Sequence, residues 1–180
     1  NAIIFWNIYP QFFKDLFIKS FTDGIHDPLN GRVRESEWRN KFIQLRDSIF
    51  YCDGCGSENF YDLEAVKSNQ GKPNACWSCK KTPTLPFRMK IDKSIIMLNH
   101  DTKLFSHHID AKKQYDFKKP MAEVSKHPND PNVWGLKNLS DEKWVLTDSK
   151  GTLKDILQGQ NCRLENGVKI QFGNSDGEIR

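Results

Sequence analysis

The chain has 180 residues, enough for one ordinary domain or two small ones, and its 11 Gly and 8 Pro are too few for a collagenous or low-complexity protein. Hydrophobic residues make up 37% of it and mean hydropathy is −0.68, so small sub-cores held by an additional device are expected rather than one large core. The formal charge of +4 is spread evenly, with 7 basic and 6 acidic side chains in residues 1–50, 6 and 4 in 51–90, and 14 and 13 in 91–180. That spread argues against nucleic acid, which asks for a concentrated basic face interleaved with aromatics.

No segment approaches the roughly 18 consecutive apolar residues of a membrane span. The apolar start Ala2–Trp6 has neither a basic flank nor a cleavage signature, so neither a membrane nor a secreted setting is expected, and the cytoplasm is. A chain opening on Asn1 rather than Met is expected to be a piece of something longer.

Residues 1–50 read as helical. Phe12, Phe13, Leu16, Phe17 and Phe21 recur at helix spacing, and Trp38, Phe42, Leu45 and Ile49 follow steps of four, three and four. Between the two amphipathic helices, Asp23-Gly24 and Asp27-Pro28-Leu29-Asn30-Gly31 predict a tight, ordered loop. Pro10 suits the first turn of helix one, where a missing N–H costs nothing.

Residues 51–81 hold four cysteines. Residues 82–86 read as a linker, because Pro83 and Pro86 hold their predecessors out of the α region. Residues 87–180 then show short strand-like apolar groups: Phe87–Ile91, Ser94–Leu98, Ala122–Val124, Trp134–Leu136, Trp144–Thr147, Cys162–Leu164 and Val168–Phe172. Gly151, Gly159, Gly167 and Gly173 recur at the spacing of hairpins meandering through a small sandwich. Leu153–Leu157 fits either a strand or a helical turn. The predicted class is α+β: a helical hairpin, a four-cysteine ribbon and an all-β sandwich. Lys112, Lys113, Lys118 and Lys119, broken by Tyr115, Asp116 and Phe117, read as a solvated loop or strand edge.

The strongest motif is Cys52-Asp53-Gly54-Cys55, twenty residues, then Cys76-Trp77-Ser78-Cys79. Each C-x-x-C turns tightly enough to aim two thiolates at one ion, and two such knuckles complete a tetrahedron of sulfurs. One structural zinc ion is the natural occupant, since four thiolates leave no open coordination position. Gly54 and Gly56 suit the turn of the first knuckle. An iron–sulfur site, two disulfides and a redox C-x-x-C are the alternatives. The two-knuckle spacing, the lack of a signal peptide and the lack of a βαβ setting weigh against them. A segment of about thirty residues cannot bury enough surface to fold alone, so chelation should unfold it. Cys162 reads as a small buried hydrophobe.

Glu58, Asp62 and Glu64 nearly balance Lys67 and Lys72 between the knuckles, which favours a protein contact over nucleic acid. Phe60, Tyr61 and Trp77 are the candidate partner-binding residues, because desolvated aromatics dominate many interfaces; the ribbon's own core is the alternative reading of them. His107-His108, if on a strand, point to opposite faces and do not share a metal easily. They read as surface or hydrogen-bonded histidines, with His100 and His127 elsewhere. No G-x-S-x-G, H-E-x-x-H, phosphate-binding loop or dinucleotide fingerprint occurs. The chain is not expected to be catalytic by itself.

The stretch NIYPQFFKDLFIKSFTDGIHDPLNGRVRESEWRNKFIQL, with its "LF..SF..GI.DP..GR" run and a helix opening ESEW, resembles the last helices of bacterial eukaryotic-like Ser/Thr protein kinases. Arg32 matches the Arg that follows the D-P turn there, while Val33 and Arg34 replace the usual Pro and Thr. The Gly-rich loop, strand lysine, H-R-D and D-F-G of a kinase are absent from these residues, so the resemblance implies a kinase tail without phosphotransfer of its own. The order of kinase tail, C-x-x-C-G-x-E-N knuckle and β module is similar to the C-terminal part of kinases from bacterial tellurite-resistance and stress loci. In those loci the kinase stands beside a von Willebrand A-type protein and a metal-dependent phosphatase, which implies a tail that binds such a partner in a phosphosignalling set.

The last stretch resembles a forkhead-associated domain. Ser125-Lys126-His127 is similar to that family's S-x-x-H but one residue short, Asp148–Thr152 to its D-x-x-S-x-N-G-T, and Leu164–Gly173 to its closing L-x-x-G-D-x-I-x-x-G. No Gly-Arg precedes Ser125, and Asp155 stands where an Asn would grip a peptide. A missing Arg removes charge-assisted bonds to phosphate. The resemblance therefore implies the sandwich more than phosphothreonine binding. A phosphothreonine reader and a ribbon that binds nucleic acid remain the alternative functions.

Overall fold

The computed structural model describes residues 2–180. They divide into two compact units, one up to Leu85 and one from Pro86 to Arg180, a boundary inside the expected linker. Residues 82–84 are not loose: Pro83 is buried, and Asp53 Oδ2 accepts the Thr84 hydroxyl at 2.9 Å.

In the first unit the chain forms α1 (Ala2–Trp6), α2 (Gln11–Phe21), α3 (Asp23–His26) and α4 (Glu35–Asp47). Two short strands follow, β1 (Ile49–Tyr51) and β2 (Glu58–Phe60), then α5 (Leu63–Ser68). The helices α2 and α4 are the two that apolar spacing predicts. They meet through aromatic edges, with Phe13 against Phe42 at 5.2 Å and Phe17 against Trp38 at 4.9 Å between ring centroids. The start of α4 is secured by Glu37, whose carboxylate accepts the Arg34 N–H at 2.8 Å. The loop before it is ordered as expected. The Asp27 carboxylate takes the amides of Leu29 and Asn30 at 3.2 and 3.0 Å, and a Cβ on Gly31 would run into the Asp23 carbonyl.

Two boundaries change. Ile49, expected to close the second helix, lies in β1 opposite Phe60, because the helix stops at Asp47 and Ser48 Oγ donates back to the Leu45 carbonyl at 2.7 Å. The helical stretch and the cysteine segment, expected as separate parts at 1–50 and 51–81, form one unit. Tyr61 N–H donates to Ser48 O at 2.7 Å, Gln11 N–H to Asp62 Oδ2 at 3.0 Å, and the rings of Tyr9 and Phe60 meet at a tilt with centroids 5.4 Å apart.

The second unit is β3 (Arg88–Ile91), β4 (Ser94–Met97), β5 (Lys103–Phe105), α6 (Ser106–Ile109), β6 (Pro120–His127) and β7 (Asp130–Asn138), followed by β8 (Trp144–Thr147), β9 (Leu153–Ile156), β10 (Asn161–Arg163), β11 (Lys169–Gln171) and β12 (Asp176–Ile179). A six-stranded sheet has the order β4-β3-β12-β11-β8-β9 and a four-stranded sheet the order β10-β7-β6-β5, and every pair is antiparallel. Hairpins do alternate along the chain, but the expected meander is interrupted: β10 crosses to pair with β7, and the first strand, β3, pairs with the last, β12. Leu153–Leu157 resolves as a strand. Gly151, Gly159, Gly167 and Gly173 all take positive φ in the turns.

One core lies between the two sheets. Met89, Trp144 and Ile170 from the six-stranded sheet pack with Leu104, Leu136 and Cys162 from the four-stranded one. Its polar heart is fully hydrogen-bonded. Asn138 donates to the carbonyls of Glu142 and Ile156 at 2.8 and 3.0 Å and accepts the Ser140 N–H and hydroxyl at 2.9 and 2.7 Å. Trp144 Nε1 in turn donates to Ser140 Oγ at 3.1 Å. Cys162 is buried between exposed neighbours, and burial pushes its thiol up to about 11.

His107 and His108 are on the single turn α6 rather than a strand, their ring centroids 5.3 Å apart. Their Nδ1 atoms accept the amides of Tyr115 (3.0 Å) and Phe105 (2.8 Å), so both brace the loop between β5 and β6. The lysines at 112, 113, 118 and 119 are exposed on that loop, with Lys119 paired to Asp141 at 3.1 Å. No helix of the described residues is long and apolar enough to cross a membrane.

Candidate metal centre

The two C-x-x-C segments fold alike. In the first, Gly56 N–H donates to Cys52 O at 2.8 Å and Cys52 N–H to Ser57 O at 2.9 Å. In the second, Lys80 N–H donates to Cys76 O at 2.9 Å and Cys76 N–H to Lys81 O at 2.8 Å. Each turn thus needs a left-handed residue just after its second cysteine, and Gly56 (φ 72°) and Lys80 (φ 64°) supply it. Gly54 has no positive φ, and a Cβ there would meet only ordinary contacts, so the first knuckle requires one glycine, not two. A methyl on Gly56 would touch nothing within 4 Å, so Gly56→Ala tests backbone strain alone. It is expected to destabilise the metal-loaded unit by about 1 kcal/mol, read as a lower melting temperature at unchanged metal stoichiometry.

Cys52, Cys55, Cys76 and Cys79 converge, their sulfurs all within 4.8 Å of one another. Cys52 Sγ lies 3.6 Å from Cys79 Sγ, and Cys55 Sγ 3.7 Å from Cys76 Sγ. A disulfide would bring two sulfurs to about 2.05 Å. A tetrahedral ion with metal–sulfur bonds of about 2.3 Å has sulfur–sulfur edges of about 3.8 Å, which these separations match. The four cysteines can therefore hold one metal ion.

Donors around the sulfurs suit thiolates. The Ser57 hydroxyl is 3.4 Å from Cys55 Sγ, and Asn59 Nδ2 donates to Cys76 Sγ at 3.6 Å. The Ser57 side chain and amide hold the Cys55 thiol at about 6. Burial opposes ionising Cys76, but the amides of Cys79 and Ser78 and the Asn59 side chain outweigh it and lower its pKa. At Cys79 the Lys81 amide pulls down, yet burial and the neighbouring sulfurs raise the thiol to about 11. Four thiols this close do not all ionise without a cation between them. An ion held there would supply that charge and close the two knuckles on each other.

The aromatic candidates beside the site separate. Tyr61 is 5% exposed and belongs to the interior of the unit, so it is not an accessible partner contact. Phe60 is half-buried against Tyr9. Trp77 is 39% exposed, its Nε1 donating to Glu58 O at 2.8 Å and its ring meeting Phe5 edge-on at 5.9 Å. The sequence reading missed Asn59, whose buried side chain ties the strand β2 to Cys76; its place two residues after Ser57 in a polar run carried no signal.

The residues likened to a phosphothreonine site come from both sheets. Ser125 and His127 are on β6 of the four-stranded sheet, whereas Asp148–Thr152 form the turn between β8 and β9 of the other. Ser125 Oγ bonds Asn161 Oδ1 at 2.7 Å across Gly135, and Asp148 accepts the amides of Lys150 and Thr152, both at 2.8 Å. Asp155 pairs with Lys143 at 2.9 Å.

No family model, curated protein or solved structure matches the chain.

Proposed function

We propose that the chain is a non-catalytic, zinc-stapled, protein-binding region of a bacterial Ser/Thr protein kinase, docking a von Willebrand A-type partner in a phosphosignalling set that includes a phosphatase. One observation carries the protein-binding reading. Of the large apolar side chains exposed among the described residues, ten precede Pro86 and two, Leu153 and Leu157, follow it. The sandwich has covered its core, while the metal-bearing unit has left apolar surface open, and such surface marks interaction sites.

Zinc fits the donor set best: four thiolates in two knuckles give a closed tetrahedral site with no position for a reacting ligand. Its role is to hold β1, β2 and the second knuckle as one body. The kinase-tail reading draws support from the two aromatic-packed helices joined by the Asp27–Gly31 turn. The forkhead-associated-like reading draws support from the two-sheet antiparallel arrangement, with Ser125 on the four-stranded sheet and Asp148 in a turn of the six-stranded one.

Calorimetry of the zinc-loaded chain with the von Willebrand A-type domain of the same locus tests the proposal. A complex at tens of micromolar or tighter is expected, and Trp77→Ala is expected to weaken it at least tenfold at full zinc content. Absence of any complex at those concentrations, with zinc bound and the fold intact, rejects the partner.

A further inference from the structure

The four cysteines of the metal centre are not equally covered. Cys76 is fully buried, Cys52 is 3% exposed and Cys79 is half-buried, whereas Cys55 is exposed. The stem of Lys81 lies on the Cys52 and Cys79 side: its Cδ and those two sulfurs all come within 4 Å of the place a Cβ on Gly54 would take. Cys55 Sγ meets the small Ser57 hydroxyl at 3.4 Å. A reagent arriving from solvent therefore reaches Cys55 first. A second sulfur stands behind it. Cys55 Sγ faces Cys76 Sγ of the other knuckle at 3.7 Å, and a disulfide at its normal length of about 2.05 Å needs only about 1.6 Å of closure. Cys162 does not compete, because it is buried in the other unit with its thiol pushed up to about 11.

An exposed thiolate next to a resolving thiolate is the arrangement of peroxide-reactive sites, and metal ligation keeps a cysteine deprotonated. We propose that Cys55 is a modification site oxidised by hydroperoxides, with Cys76 capturing the oxidised sulfur in a disulfide that dismantles the metal centre. This rests on the four cysteines holding one metal ion, and it adds a means of releasing that ion. The Cys55 thiolate attacks the terminal oxygen of the hydroperoxide, the O–O bond breaks, and an alkoxide, or hydroxide from hydrogen peroxide, leaves as the Cys55 sulfenic acid forms. The Cys76 thiolate then attacks the Cys55 sulfur, the S–O bond breaks, hydroxide leaves and the S–S bond forms. The two sulfurs together lose two electrons, the peroxide gains them, and two protons from solvent neutralise the two anions released. Two of the four ligands are then bonded to each other, and Cys52 with Cys79 is too small a set for a closed tetrahedral site. The new bond still ties the knuckles at one point, so a dithiol reductant restores the site.

The probe is hydrogen peroxide, added in roughly tenfold molar excess to the zinc-loaded chain, with released zinc read by a chelating dye and the cysteines mapped by mass spectrometry. A sulfenic-acid label applied early should sit on Cys55, the first disulfide should join Cys55 to Cys76, and zinc should leave at the rate that disulfide appears. Dithiothreitol with added zinc should then restore one ion per chain. Cys55→His keeps a fourth zinc ligand without an exposed thiolate, and should slow peroxide-driven release at least tenfold; Cys162→Ser should release zinc at the native rate. If Cys55→His takes up no zinc, the label and disulfide maps of the native chain decide the matter. Release from Cys55→His at the native rate overturns the proposal. So does a first label on Cys52, Cys76 or Cys79, a first disulfide within one knuckle, or full retention of zinc under peroxide. One zinc per chain with any of these results leaves the metal centre standing and removes its oxidation site. A native chain that takes up no metal overturns both.

Discussion

Stripping the metal is expected to erase the dispersed amide resonances of residues 49–81 while leaving those of residues 87–180 in place. The strands β1 and β2 have three residues each, and a two-stranded sheet of that size is not stable by itself. What closes the second knuckle onto them is the sulfur cluster, with Cys76 fully buried and bonded through Asn59 to β2. Structural zinc contributes on the order of 10–16 kcal/mol of apparent binding free energy at neutral pH, more than a unit of this size has in reserve. The sandwich is insulated because its core is drawn wholly from residues after Pro86. Cys76→Ser should reproduce the loss without chelator, and Cys162→Ser should leave metal content unchanged. Retention of the 49–81 resonances in metal-free protein would show that the ribbon folds on its own contacts.

Trp144→Ala should be the most damaging single truncation in the sandwich. Trp144 is the largest fully buried side chain there; its ring meets Phe172 edge-on at 5.0 Å and its Nε1 bonds Ser140. Removal leaves a large cavity and a broken polar network, a loss of about 3–5 kcal/mol. For a unit of this length the melting temperature should fall by on the order of 20 °C. Trp144→Phe keeps much of the ring contact and drops only the indole bond, so its loss should be about 1–2 kcal/mol. A thermal melt in which the alanine variant loses less than about 1 kcal/mol would mean that the neighbouring strands collapse to fill the space.

What was legible in the sequence follows from how local each signal is. The helices α2 and α4, the four cysteines and the strand β8 were readable because periodicity or spacing within a dozen residues specifies them. The end of α4 was not, since Ile49 continues the apolar step and only its pairing with Phe60 pulls it into a strand. The strand β12 escaped notice because Asp176-Gly177-Glu178-Ile179 looks like a turn. Gly177 is there because a Cβ would strike Phe172 and Met89, the second of them far away in the chain. Histidine placement failed for a similar reason: α6 is one turn held by Tyr115 and Phe105 amides, and no pattern in Ser106–Ile109 announces it. At the metal site the ligands were readable and the supporting shell was not. Tyr61 reads as an exposed aromatic in sequence, and its burial is set by the tertiary fold rather than by its neighbours in the chain.

The pairing of β3 with β12 also sets an order of events. Arg88 and Arg180 exchange both of their backbone hydrogen bonds, each at 2.9 Å, so the six-stranded sheet cannot close until its final strand has left the ribosome. Closure must bridge some ninety residues and carries the slow kinetics of long-range β pairing. The first unit draws only on residues up to Leu85 and can settle earlier in synthesis. During that interval the newborn chain carries a sheet with open strand edges, the condition in which chains aggregate most readily, until Ile179 pairs with Met89.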